Sequence, residues 1–243
     1  MTAPSTATGR PAWLDRGGDE RPVGFLGGSF DPVHAGHLQL ARDAQRALDL
    51  AALAFVPAGR PWQKPDVSPA AERLRMLELA VQGAAGWSID RREIERAGPT
   101  YTFDTVRSLR ADAGPARPLV WIMGFDQLCR LPTWHRWEEL LGQVHIAYAA
   151  RADCSDTPPA PIRELLRSRA GLPADLSREA AGRIAEFPMQ AVDCSATQIR
   201  KALAGGDAAY VRRCLPAPVL EHLRQHPLYG QRHGNEKTAA PGH

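Results

Sequence analysis

With 243 residues, the chain has room for one large or two small domains and a sizeable core, taking about 150 residues per domain as a soft expectation. Its composition, 44% hydrophobic and 23% charged, is that of an ordinary globular protein. A formal charge of +3 and a pI of 8.8, with arginines scattered along the chain, demand no nucleic-acid partner and suit a small phosphorylated ligand equally well.

Residues 1–20 lack the apolar core of a signal peptide and read as a disordered extension. Short apolar runs then alternate with segments of helical period. Val23–Gly28 reads as the first strand, followed by a helix from His37 to Leu50 with Leu38, Ala41, Ala44 and Leu48 on one side. Leu53–Val56 is the second strand; the next helix, Pro69–Val81, turns Leu74, Leu77 and Val81 inward, with Ser68 as N-cap and Pro69 at its first position. Trp87–Asp90 is a third strand, and Phe103, Val106 and Leu109 share a face of a helix that Thr102 is placed to cap. Leu119–Gly124 and Val144–Ala149 are the fourth and fifth strands.

After Arg151 the pattern loosens. A helix at Pro161–Arg169, a last strand within Ile184–Val192, and helices at Ser195–Leu203 and Ala217–Gln225 are expected there. Strands alternating with helices imply parallel βαβ units, hence a doubly wound α/β fold over residues 21–229, with residues 193–229 as a small helical appendage and 230–243 as a disordered tail. No run approaches the ~18 apolar residues of a membrane span. A soluble cytoplasmic protein without a membrane partner is expected, so Cys129, Cys154, Cys194 and Cys214, which form no Cys-x-x-Cys pair, read as reduced structural thiols, Cys129 as buried filler.

The stretch GGSFDPVHAGHL, Gly27 to Leu38, begins where the first strand ends. In a doubly wound sheet ligands bind at such strand ends, and glycines there let a phosphate approach backbone N–H groups while a helix starting near Ala35 directs its positive end at the anion. His34 and His37 stand one helical turn apart and look into the same pocket. The spacing does not fit a P-loop, a Gly-x-Gly-x-x-Gly turn or a Gly-x-Ser-x-Gly elbow. The bland alternative is a glycine turn with two partly exposed histidines; the whole set at a strand end favours function.

Gly27-Gly28-Ser29-Phe30-Asp31-Pro32-x-His34-x-Gly36-His37-Leu38 resembles the signature of the His-x-Gly-His nucleotidyltransferase superfamily, and in its full form that of the bacterial nicotinate-nucleotide adenylyltransferase family. The resemblance runs from Val23 to Tyr229. It implies a Rossmann-like nucleotidyltransferase fold and the transfer of an adenylyl group from ATP to nicotinate mononucleotide. Pro61-Trp62-Gln63-Lys64 resembles the family's basic loop, with Gln63 where His is frequent, and makes Lys64 a candidate catalytic cation beside His34, His37 and Arg200. Thr100, Tyr101 and Thr102 match the segment that holds the nicotinate carboxylate. Gly124 and Asp126 match a nucleotide-binding region, and Trp134 a residue that stacks on the pyridine ring. Ser195-x-Thr197-x-x-Arg200 matches the Ser-x-Thr-x-Ile-Arg motif, with Cys194 in place of the usual Ile, and Arg151 is an adenine-side candidate.

The chemistry suits these residues. An already ionised nucleotide phosphate attacks the α-phosphorus of ATP, so the site must hold two anions together and neutralise developing charge. His34 and His37, with a pKa near neutrality, can donate to phosphate oxygens; Ser195 and Thr197 offer hydroxyls at a helix start, and Arg200 can fork onto the β- and γ-phosphates. Mg²⁺ is expected to ride on the ATP phosphates, not on a protein cage. On geometry alone Trp134 could pack beside Trp137 and Asp126 could cap a helix; the resemblance selects the ligand for both. His222 and His226 stand at i and i+4 without a third ligand and read as an exposed helix face, not a metal pair. The alternatives are transfer to nicotinamide mononucleotide or phosphopantetheine, or a non-catalytic nucleotide sensor, and there is room for a homo-oligomer.

Overall fold

The computed structural model describes residues 11–14, 19–61, 67–150 and 157–230. In chain order the elements are β1 (Val23–Gly28), α1 (Ala35–Ala47), β2 (Ala52–Pro57), α2 (Ala70–Val81), β3 (Trp87–Ile89), α3 (Arg92–Glu95), α4 (Thr102–Ala113), β4 (Leu119–Gly124) and α5 (Phe125–Arg130). They continue with β5 (His145–Ala150), α6 (Ala160–Arg169), β6 (Ala170–Gly171), β7 (Ile184–Pro188), α7 (Ala196–Gly205), α8 (Ala208–Cys214) and α9 (Ala217–Gln225).

The strands form a wholly parallel sheet in the order β3-β2-β1-β4-β5-β7-β6. The order reverses between β1 and β4, whose connections leave in opposite directions and open a crevice at the strand ends. Leu26 of β1 pairs in register with Ile122 of β4, so Gly28 and Gly124, each two residues further on, end neighbouring strands at that crevice.

Alternating strand residues feed two apolar layers. Leu26, Phe55, Val120 and Ile122 pack under α1 and α2, and Ile199, Val211 and Leu223 of α7, α8 and α9 join the same cluster. Phe25, Val56, Trp121 and Met123 face the opposite side, against Phe103, Val106 and Leu109 of α4. Both faces are covered, which is why these strands read as nearly continuous apolar runs.

Some expectations need correction. Pro69, not Ser68, is the N-cap of α2, and Tyr101, not Thr102, that of α4. The last strand stops at Pro188. Within the N-terminal stretch expected to lack order, Trp13 is 2% exposed, lies edge-on to Phe25 and donates from Nε1 to Asp90 Oδ2 at 3.0 Å, because a large indole gains more from burial than the short segment loses in freedom. Cys194 and Cys214 are not separate thiols but form a disulfide: the α7–α8 turn brings together two residues that stand 20 positions apart without a recognisable spacing motif. His222 is not exposed; its Nε2 lies 3.0 Å from Glu72 Oε2 and joins α9 to α2. No helix among the described residues is long and apolar enough to cross a membrane.

Candidate active site

At the end of β1 the backbone is shaped by close packing. A Cβ on Gly27 would lie 2.3 Å from Trp121 Cζ2 on β4, so the first glycine is required by the neighbouring strand as well as by any ligand. Phe30 then takes a left-handed φ of 49°, and its buried ring sits edge-on to His37 (5.1 Å) and Phe55 (5.8 Å). Phe30 therefore props the histidine from behind, while Ser29 and the strand-end glycines stay partly open.

The two imidazoles meet as expected, with ring centroids 3.8 Å apart. His34 is the N-cap of α1, and its backbone N–H donates to His37 Nδ1 at 3.3 Å. An Nδ1 that accepts leaves the proton of the neutral ring on Nε2, which makes His37 a fixed donor. His34 departs from the expectation of a pKa near neutrality: burial pushes its imidazole down to about 4, and its Nδ1 is sealed without a hydrogen-bond partner among the described residues. It is a neutral imidazole in this structure. Gly36 completes the turn, since a Cβ there would lie 3.1 Å from the His34 ring and 3.5 Å from the Cys194 carbonyl oxygen.

That proximity sets the start of α7 beside the start of α1. Ser195 caps α7, its Oγ accepting from Gln198 N–H at 3.2 Å, so the hydroxyl proton is what it can offer an anion. Arg200, one turn into α7, donates from Nη1 to the Asp31 carbonyl oxygen (2.7 Å) and from Nη2 to Thr197 Oγ1 (3.4 Å). The start of α7, with Ser195, Thr197 and Arg200, thus packs against the histidine stretch at the end of β1.

On the other side of the crevice, Thr100 is 6% exposed, donates its N–H to Arg60 O at 3.3 Å and bridges to Pro61, at the start of the basic loop. Its Oγ1 lies beside the buried Glu93 carboxyl without a hydrogen bond of good geometry. Glu93 accepts from Thr105 Oγ1 at 2.7 Å, and burial raises its pKa above the usual carboxylate range. The Tyr101 ring lies 4.6 Å from that of His135, which brings Tyr101 and Thr102 against the turn that carries Trp134. Trp134 and Trp137 both pack on the second apolar layer, yet Trp134 Nε1 is buried without a partner among the described residues, an N–H that an incoming acceptor can satisfy. Asp126 is exposed in the first turn of α5, whose N-cap is Gly124, so the carboxylate is not a cap. Gln63, Lys64 and Arg151 lie outside the described residues.

Sequence reading missed the frame behind the cup. Arg73 is fully buried and donates to three backbone carbonyls: Nε to Ser68 O (2.8 Å), Nη1 to Ser29 O (2.8 Å) and Nη2 to Gly59 O (3.0 Å). Burial lowers its pKa while the Asp31 charge opposes the shift. The signal was present, for Arg73 stands four residues before Leu77 on the apolar stripe of α2. Among the described residues no group of three or more His, Cys, Asp or Glu is gathered for a metal.

The pattern of the cytidylyltransferase-like family matches residues 25–202. A protein of Pseudomonas putida named "Probable nicotinate-nucleotide adenylyltransferase" is 41% identical over 226 residues, 93% of this chain and 97% of the relative. The chain belongs to the nicotinate-nucleotide adenylyltransferase family. A relative of the same name from Pseudomonas aeruginosa is 39% identical and covers 87% of this chain and 98% of its own length. In fold, the family member described here is similar to Plasmodium falciparum nicotinic acid mononucleotide adenylyltransferase, solved with APC (TM-score 0.66) and with NaAD (TM-score 0.68). Each comparison is 14% identical and covers 87% of this chain and 98% of the other.

Proposed function

We propose that the protein transfers the adenylyl group of ATP to nicotinate mononucleotide, releasing pyrophosphate and giving nicotinate adenine dinucleotide, a step of NAD biosynthesis. The observation that carries this reading is the packing of the α7 start on the histidine stretch: Arg200 donates to the Asp31 carbonyl, and a Cβ on Gly36 would stand 3.5 Å from the Cys194 carbonyl oxygen, which brings Ser195 and Thr197 toward His34 and His37.

An oxygen of the nicotinate mononucleotide phosphate attacks the α-phosphorus, the α–β bridging bond breaks, and its electrons leave on pyrophosphate. The nucleophile is already an anion, so no strong base is required. His37 Nε2–H and the His34 ring donate to α-phosphate oxygens as charge builds there. Arg200, aimed by its Nη1 bond to the Asp31 carbonyl, takes the β- and γ-phosphates with its remaining N–H groups, with the Ser195 and Thr197 hydroxyls and the α7 N-terminus beside it. Lys64 supplies a further positive charge. Gly27, Gly28 and Ser29 line the phosphate path. Imidazoles, hydroxyls and a guanidinium fit phosphates better than a bare dication, and Mg²⁺ carried on ATP would add neutralisation at the β- and γ-phosphates.

Selectivity lies across the crevice. The α4 start at Tyr101 and Thr102 presents backbone N–H and hydroxyl donors to the ring carboxylate, with the Thr100 hydroxyl behind them, and Trp134 stacks on the pyridine. Gly124, Asp126 and Arg151 hold the nucleotide side. A cytoplasmic location accompanies this reading.

The test is an assay with ATP and Mg²⁺ against nicotinate and nicotinamide mononucleotides in parallel, with product mass measured. A kcat/KM at least about tenfold higher for the nicotinate form is expected, since an unpaired buried donor set discriminates by this much or more. Equal rates would overturn the ring selectivity, and no adenylylated product from either would overturn the enzyme.

A further inference from the structure

Asp31 lies inside the histidine stretch, and its carboxylate is turned toward Ser68 and Tyr229. It is 3% exposed, and three separate segments converge on it. Its Oδ2 accepts the Ser68 backbone N–H (3.2 Å), at the start of α2, four positions after Lys64. Its carbonyl oxygen accepts from Arg200 Nη1 (2.7 Å) on α7. Its Oδ1 accepts from the hydroxyl of Tyr229 (2.7 Å), a residue 198 positions away that follows α9.

Tyr229 is itself held firmly. Its backbone has a left-handed φ of 66°, and its ring packs against the apolar layer shared by β1, α1 and α9. Burial beside Asp31 raises the phenol pKa, so the group remains a donor at any working pH. Arg73 faces the same carboxylate from α2.

We propose that Tyr229 is a positioning residue for the adenylyl transfer: acting through Asp31, it holds the histidine loop, the end of the basic loop and Arg200 in one register, and so sets the affinity for the ATP triphosphate. The inference rests on the functional reading above. Tyr229 touches no reacting group. Without its hydroxyl, Oδ1 loses the hydrogen-bond donor that fixes the carboxylate, Asp31 rotates toward Ser68, and the carbonyl from which Arg200 is aimed moves with it.

The experiment compares wild-type, Tyr229→Phe, Asp31→Asn and the double variant in the full chain. Direct calorimetric titration of Mg-ATP is expected to weaken about tenfold in Tyr229→Phe, a size in line with one lost hydrogen bond to a buried charge. KM for ATP should rise in parallel, while KM for nicotinate mononucleotide stays within about twofold, because the ring pocket is built from other segments. The double variant should be no worse than the poorer single one, since both act on one link. A purely structural role would lower the melting temperature and the active fraction, leaving the ATP affinity of the folded enzyme unchanged. Unchanged ATP affinity in Tyr229→Phe, or fully additive losses in the double variant, would overturn the proposal. The ATP titration does not need the acceptor to be nicotinate mononucleotide, so failure of the acceptor assignment would be seen separately.

Discussion

The His34 and His37 rings lie 3.8 Å apart, and the backbone N–H of one residue fixes the tautomer of the other. Two imidazoles of the same motif are thereby given different properties: His37 is a held donor at the partly open face, and His34 is a buried neutral ring.

The first consequence concerns turnover. His37→Ala removes a positioned donor to the α-phosphate, and kcat should fall about 100-fold to 1000-fold, the cost of one such donor, with the circular dichroism spectrum unchanged. A loss below about tenfold would show that His37 is not the principal donor.

The second concerns acid stability. His34 has a folded pKa of about 4 against 6.5 for the free group, so as pH falls the unfolded chain takes up the proton first. This contribution is fully present above pH 6.5 and is lost as the pH falls toward about 4. Its full size is about 3 kcal/mol. Urea unfolding at a series of pH values should therefore show a shallower acid slope in His34→Asn than in wild-type, over that window only. Equal slopes would mean that the ring is solvated. Bound ATP should oppose the effect, because phosphate favours the imidazolium.

The third concerns Arg73. Arg73→Met strands the carbonyls of Ser29, Gly59 and Ser68, and should cost about 3 to 5 kcal/mol in urea unfolding. Arg73→Lys should recover only part of this, as a single ammonium cannot span the three oxygens that a planar guanidinium reaches. Full recovery by Lys would show that charge alone, not the fork, is what this position needs.

The fourth concerns the Cys194–Cys214 bond, which lies next to Ser195. A link across 20 residues restricts the unfolded chain by about 3 kcal/mol on the chain-entropy account, so reductant or Cys214→Ser should lower the unfolding midpoint accordingly. Cytosolic disulfides are uncommon. Thiol labelling and mass measurement on protein quenched directly from cells would show whether the bond forms there; a fully labelled pair would restore the reduced state expected from sequence.

Much was legible in the sequence because its information is local. Short apolar runs marked the strands and a period of 3.6 residues the main helices, with β4 and α9 falling on their anticipated bounds, and the crowded motif after β1 placed both histidines at a strand end. What lay beyond reach depends on contacts between distant positions. Arg73 acquired its three carbonyl partners only when α2 packed its stripe inward, and Asp31 its own only when Ser68, Arg200 and Tyr229 closed on it. Cys194 and Cys214 carried no spacing signal, Trp13 sat in a polar stretch, and His222 acquired Glu72 only through α9 docking. Burial and long-range pairing decide the charge state and partner of a side chain, and neither is a property of its neighbours in sequence.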